Sequence, residues 1–262
     1  MTYIMESGDE TRRLIEQEQA DEASQVLRLT GLTAGARVLD AGCGPGGISE
    51  MLAEVVGETG QVLGIDLSEE RIREARQRFQ HRPTLRFQVA DIHATGLPDG
   101  AFDYTWCQYV FQYLPRRRAA LDELIRVTRP GGRVVVSDMD GFGLGNWPFP
   151  ESLQASCKLF VEALGRSGFD LHVGRKLFTE FRQAGLVDVQ VRLLPQYVIP
   201  GTASEAVLED WRTRFRALEP FIAPAFGSPD AYAVHCAEYL RMLADPDTLK
   251  FAVRLVTDGR RP

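Results

Sequence analysis

From Ala36 to Asp138 short apolar runs alternate with amphipathic stretches of helical period. That alternation is produced when parallel strands are joined by crossover helices. The runs predict strands over 36–40, 61–65, 84–90, 102–107 and 132–138, with helices in the gaps. The helix over 116–128 is sharply marked. Pro115 suits its first turn, Leu121, Leu124 and Ile125 share a face, and Arg129-Pro130-Gly131-Gly132 stops it. Farther on, the pattern predicts helices over about 151–164 and 175–184 and a strand over 187–194. Ser204 can cap a helix on which Leu208, Trp211, Phe215 and Leu218 recur at helical spacing; a second helix follows over 230–243 and a last strand over 249–256. The expected architecture is α/β: a doubly wound, mainly parallel seven-stranded sheet, helices on both faces, and an inserted helical cap.

Residues 140–173 and 203–244 form the cap insertions of a main domain spanning 31–262. At the other end, residues 3–30 read as helical. Ser7 and Glu10 have capping-box spacing, while Leu14, Val26 and Leu29 make an apolar stripe too thin for a core helix. Either a solvated helix pair or a lid over a ligand satisfies that pattern.

The 262-residue chain carries a net charge of −6 and has a pI near 5.4. This balance argues against a general nucleic-acid binder, which needs clustered Lys and Arg to meet phosphates. The basic runs Arg116–Arg118 and Arg71, Arg73, Arg76, Arg78 read as solvated helix faces. Four cysteines, Cys43, Cys107, Cys157 and Cys236, lie far apart without a C-x-x-C pair, so neither a zinc site nor a disulfide framework is expected. With no secretory h-region and no membrane-length apolar run, the expected location is cytoplasmic.

The chemistry gathers at Val38-Leu39-Asp40-Ala41-Gly42-Cys43-Gly44-Pro45-Gly46-Gly47, where an apolar strand meets an acid and then four glycines within six residues. Such a turn brings backbone N–H groups close to a ligand at a helix N-terminus. Gly42-x-Gly44-x-x-Gly47 satisfies the dinucleotide fingerprint, and Asp66 follows at the distance of a ribose-binding acid. Asp40 argues for another ligand, because a carboxylate beside the loop repels a doubly charged pyrophosphate and tolerates a sulfonium and an ammonium. Asp-x-Gly-x-Gly-x-Gly, at Asp40, Gly42, Gly44 and Gly46, resembles the first motif of the class I S-adenosylmethionine (SAM) dependent methyltransferases, whose fold is Rossmann-like.

In parallel α/β sheets ligands bind beyond the carboxyl ends of the strands. Asp40, Asp66, Asp91, Cys107-Gln108 and Asp138 stand at or just past successive strand ends. Acids so placed need a ligand or each other, since burying them unpaired costs several kcal/mol each. The resemblance implies that Asp40, Gly42, Cys43, Gly44 and Gly46 form the cofactor loop. Asp66 with Leu67 would hold the ribose, although Asp66 could instead cap the helix starting near Glu69. Ala90-Asp91-Ile92 would meet the adenine, with Asp91 accepting from its amino group, and Cys107 and Gln108 would complete the cofactor set. His93 reads as an adenine-side or surface residue rather than a base.

Many relatives that methylate oxygen carry a histidine just after the fourth strand, where this chain has Gln108-Tyr109-Val110-Phe111-Gln112-Tyr113. Candidates for chemistry are therefore His172, His235, Asp138 and Gln112; Tyr109, Gln112, Asp140, Trp147 and Phe149 are candidates for acceptor contact. No metal is expected. Methyl transfer is an in-line displacement at an activated carbon, so the protein mostly supplies alignment and desolvation. No Asn-Pro-Pro-Tyr or Asp-Pro-Pro-Tyr follows the fourth strand, which again disfavours nucleic acid. The resemblance is to the small-molecule branch, similar to quinone-biosynthesis and secondary-metabolite methyltransferases. It favours the lid reading of residues 1–30 and implies methyl transfer to a small, partly apolar acceptor at oxygen, nitrogen or carbon, in bacterial secondary metabolism or cofactor biosynthesis. The rival readings are a SAM enzyme of non-methylating chemistry (cyclisation or decarboxylation), a catalytically silent SAM-binding regulatory partner, and a nicotinamide oxidoreductase.

Overall fold

Successive residues of a strand point to opposite faces, so a strand covered on both sides reads as a near-continuous apolar run. The computed structural model, which describes residues 26–27, 29–141 and 145–262, has this arrangement. Strands β1 (Arg37–Ala41), β2 (Gln61–Asp66), β3 (Leu85–Val89), β4 (Phe102–Gln108) and β5 (Thr128–Asp140) are parallel. β6 (Val187–Pro200) and β7 (Leu249–Arg260) complete the sheet, β7 running antiparallel to both β5 and β6. The order is β3-β2-β1-β4-β5-β7-β6, and its reversal between β1 and β4 opens a crevice at the carboxyl ends. The helices are α1 (Gly47–Val56), α2 (Glu69–Arg78), α3 (Arg117–Val127), α4 (Glu151–Arg166), α5 (Val173–Gln183), α6 (Glu205–Ile222) and α7 (Pro229–Ala244).

One face of the sheet, through Val38, Val62, Trp106 and Val135, buries α1, α2, Val26 and Leu27. The other face, through Leu39, Ile65, Cys107 and Val136, buries α3 and α5. Above the carboxyl ends, α4, α6 and α7 close around an aromatic core. In it Phe160 meets Phe215 edge-on at 6.1 Å, and Trp211 lies 4.6 Å from Tyr239. Met139 of β5 belongs to the same cluster, so the cap is packed directly onto the sheet.

The strands and helices lie where the pattern put them, with instructive differences. Arg129–Gly132 is not a loop after α3: β5 begins at Thr128, and the register shift opposite Phe102 and Tyr104 absorbs the turn as a bulge. β6 runs on to Pro200, paired with Leu249, and β7 runs on past its expected end to Arg260, where it pairs with Val187 of β6 and Arg133 of β5. Nor are the basic runs simple solvated faces. Arg71 is buried, Arg76 donates to the Phe87 carbonyl at 2.8 Å, and Arg117 pairs with Asp170 and Glu180, each at 3.1 Å. The lid proposed for residues 1–30, with Ser7, Glu10 and Leu14, lies outside the described residues apart from its last few. Of these, Thr30 shares a 2.6 Å hydrogen bond with Tyr104, and the Leu29 carbonyl accepts from Arg192 at 3.0 Å. No helix among the described residues is long and apolar enough to cross a membrane.

Lys250 of β7 is fully buried, and its ammonium donates to the carbonyls of Gly201 (2.5 Å) and Asp245 (2.7 Å). Those carbonyls stand where the α6–α7 excursion leaves and rejoins the sheet, so one side chain ties both ends of the cap. Lys250→Met would take the charged donor from both carbonyls. The expected loss is about 1–3 kcal/mol in urea-induced unfolding.

Candidate cofactor site

The turn after β1 is held by bonds that only its own backbone can make. Gly42 and Cys43 both donate to the Ile65 carbonyl of β2, at 2.7 and 2.9 Å, and Gly46 donates back to Cys43 at 3.0 Å. Gly42 has φ +77°, and a Cβ there would stand 2.3 Å from a methyl of Val110; Gly46 has φ +93°, and a Cβ there would meet the rings of Phe79 and Phe87 at 2.9 Å. Both positions therefore require glycine for conformation and for space.

Two carboxylates complete the turn. Asp40, almost wholly buried in β1 one residue before its end, accepts from Ser49 Oγ of α1 at 2.6 Å. Asp66, the last residue of β2, accepts from the Gly44 N–H at 3.0 Å and from the Ser68 N–H at 2.9 Å. The cap of α2 is Ser68, whose side chain accepts from the Arg71 N–H, so the capping reading of Asp66 gives way. Each Asp66 oxygen retains a lone pair for a further donor.

The acids act on a common space. Burial pushes the Cys107 thiol far up, and the negative charges of Asp138, Asp40 and Asp66 push it further. The Cys43 thiol is raised by burial and then by Asp40 and Asp66, against a smaller opposing field from Arg71. Asp40 and Asp66 thus concentrate negative charge around both Cys43 and Cys107. Gln108 is fixed by a 3.0 Å bond from Arg254 of β7.

Asp91 lies just beyond β3 with its side chain 46% exposed, and its Oδ1 receives both the backbone N–H and the ring Nδ1 of His93, at 2.8 and 2.7 Å. This pairing was missed in the sequence, although an acid followed two residues later by a residue able to donate from backbone and ring is a legible turn signal. Ala90 is partly covered and Ile92 is buried in the sheet-face core, which leaves Leu67, 67% exposed, as the open apolar side chain next to Asp66.

Beyond β4, Tyr109 has φ +56° and its N–H bonds the Ser137 carbonyl at 2.9 Å, turning the chain sharply. Asp138 is fully buried and accepts from the backbone N–H groups of Gln112 (3.1 Å) and Met139 (2.9 Å). Gln112 donates to the Tyr109 carbonyl and offers its own carbonyl to the Asp170 N–H at 2.8 Å; its Oε1 is buried without a partner among the described residues. Asp170 in turn accepts from the His172 N–H at 3.0 Å, and among the described residues the buried His172 Nδ1 likewise has no partner. A Cβ on Gly174 would stand 2.9 Å from the Met139 carbonyl, so α5 starts hard against the end of β5. Gln112, Asp138, Asp140 and His172 are thereby brought together. Asp140 is engaged by Arg175 at 2.8 Å.

His235 is not in that group. It is buried among the cap aromatics, stacked on Phe160 at 5.3 Å and bonded through Nδ1 to Ser156 Oγ at 2.9 Å, and burial pulls its pKa down to about 4. Trp147 is 75% exposed and fixed by paired backbone bonds to Leu249, whereas Phe149 packs against the cap core. No cluster of metal-binding side chains occurs among the described residues.

The sequence profile of a family described as a methyltransferase domain matches residues 32–182. A 37.1 kDa protein of transposon TN4556 from Streptomyces fradiae is 33% identical over 195 residues, covering 74% of this chain and 56% of that protein. The 2-methyl-6-phytyl-1,4-hydroquinone methyltransferase of Synechocystis is 38% identical over 110 residues, covering 42% of this chain and 34% of the enzyme. The chain thus spans between about a third and just over half of these relatives' lengths. Among solved structures, the YcgJ protein of Bacillus subtilis superposes with a TM-score of 0.63 at 20% identity, over 92% of this chain and 98% of that one.

Burial pushes the Asp138 carboxyl up to about 7, against the backbone N–H groups of Met139, Gln112 and Phe111, which favour the anion. Its folded value lies above its unfolded one. Between about pH 4 and pH 7 the native state holds a proton that the unfolded chain has released, and stability falls as pH rises across that window. Asp138→Asn removes this term. The mutant-minus-wild-type difference in unfolding free energy should climb by a few kcal/mol from pH 4 to pH 7 and level off above, in urea titrations across that range.

Proposed function

The chain belongs to the methyltransferase-domain family, and from that premise we propose that it transfers the methyl group of SAM to a small, partly apolar organic acceptor. The observation that carries this reading is the pair of strand-end acids Asp40 and Asp66 at the glycine turn, a negative site that favours a cationic adenosyl ligand and repels a pyrophosphate. SAM supplies a methyl group already activated by its sulfonium. Asp66 receives the ribose hydroxyls on the lone pairs that Gly44 and Ser68 leave open, and Leu67 lies against the base. Asp91 accepts from the adenine amino group. The loop from Gly42 to Gly46 approaches the amino-acid end through bare backbone.

The chain's own work is alignment and exclusion of water. Tyr109, Gln112 and Phe149 face the acceptor beneath the cap. Among the candidate bases, Asp138 serves the turn at Gln112 and Met139, and His235 serves the cap core. His172 remains: burial, then the Arg175 cation, lower its pKa, so it is neutral near pH 7, and its buried Nδ1 has no other partner among the described residues. It takes the acceptor's proton. Hydroquinones and related phenols are the first acceptors to try, since a curated relative is named for a hydroquinone. A cytoplasmic setting and a role in bacterial secondary metabolism or cofactor biosynthesis fit this reading.

The decisive assay uses SAM labelled in the methyl group with a panel of phenolic, amine and carbon-acid acceptors. One S-adenosylhomocysteine per methylated product is the expected result. Conversion of an acceptor without loss of label from SAM would assign a cyclisation or decarboxylation instead, and stabilisation by NAD alone would remove the SAM reading. His172→Ala should lower kcat about a hundredfold with S-adenosylhomocysteine affinity unchanged.

A further inference from the structure

Asp91 is given its meaning by His93. Partial burial pushes the Asp91 carboxyl up, but the His93 backbone N–H, its ring and the Arg116 cation together pull it below its ordinary value. It is therefore ionised at neutral pH and can only accept. The 2.7 Å contact then requires that His93 Nδ1 carry the hydrogen. Both His93 donors fall on the same oxygen, Oδ1, while the carboxylate as a whole stays 46% exposed. The ring is mostly covered, and its Nε2 is buried without a partner among the described residues, so Asp91 is the group that orients it. Carboxylate and imidazole fix each other.

The turn that carries them is anchored independently. Ala94 closes on the Asp91 carbonyl at 3.0 Å, and Thr95 donates through N–H and Oγ1 to Glu123 of α3 at 2.8 and 2.6 Å. Removing the imidazole therefore takes one of the two donors from Oδ1 and leaves the carboxylate held by the His93 backbone N–H alone, a looser hold, without releasing the turn.

We propose that His93 is a positioning residue that, by occupying Oδ1 of Asp91, aims the other oxygen at the exocyclic amino group of the base and so sets the preference for adenine over a 6-oxo purine. A carboxylate accepts from an amino group and is repelled by a carbonyl, so preference depends on where the free oxygen points. The proposal rests on the reading of Asp91 as the adenine acceptor.

The test is calorimetric titration of the full chain with S-adenosylhomocysteine and with S-inosylhomocysteine, in which the amino group is replaced by a carbonyl. Wild type should prefer the adenosyl compound. His93→Ala should cut the ratio of the two dissociation constants about tenfold, mainly by weakening the adenosyl compound, and His93→Asn, which keeps a side-chain N–H two residues after the acid, should restore most of it. Equal weakening of both compounds would reduce His93 to a structural part of the turn and overturn the proposal. An unchanged ratio in His93→Ala beside a collapsed one in Asp91→Asn would overturn it while leaving Asp91 as the acceptor. A ratio untouched in Asp91→Asn would remove the reading of Asp91 and the proposal with it.

Discussion

A turn built of glycine has no side chains with which to hold its shape, and the site depends on how the neighbouring strand and helix supply what it lacks. The Ile65 carbonyl at the end of β2 takes two of its N–H groups, and the carboxylate of Asp66 takes a third. Asp40 ties the strand before the turn to Ser49 in the helix after it. Phe79 and Phe87 press on Gly46 and Val110 on Gly42, so the backbone lies in a mould with no room for a Cβ. Rigidity is useful here because a loop already in its bound shape loses little entropy when a ligand arrives.

The carboxylates that hold the turn also set its field. Asp40 and Asp66 reach both Cys43 and Cys107, and Asp138 reaches Cys107. Carboxylates so close repel one another, and the backbone and hydroxyl donors that each accepts offset part of the cost. A cation would relieve the rest. The same residues thus hold the turn and set its charge, so its shape and its field depend on the same carboxylates.

In the cap the logic is reversed. Much of the polar capacity of the cap is already spent, His235 on Ser156 and Tyr232 on the Phe215 carbonyl, within a core of stacked and edge-on rings. At its junction with the sheet, Gln112 Oε1 and His172 Nδ1 stay open, without a partner among the described residues. Buried acceptors of that kind favour a substrate that brings a donor.

The strands, the helices, the excursion between the last two strands and the glycine turn could be read in the sequence, because apolar period and glycine spacing are local properties of the chain. That several acids would gather at the carboxyl edge of the sheet was legible for the same reason: each ends or follows its own strand, and a parallel sheet brings strand ends together whatever lies between. Roles that depend on a second element were not legible. His172 and His235 look alike as isolated histidines; the packing of Gly174 against β5 puts one at the strand ends, and the rings of α4, α6 and α7 enclose the other. Trp147 and Phe149 belong to one aromatic loop, yet backbone pairing with Leu249 leaves the first in solvent while the second packs on the cap. By itself the sequence determined which backbone would form and where its carboxylates would stand; only the tertiary structure decided which polar atoms were already satisfied, because a hydrogen-bond partner is chosen by distance in space and not along the chain.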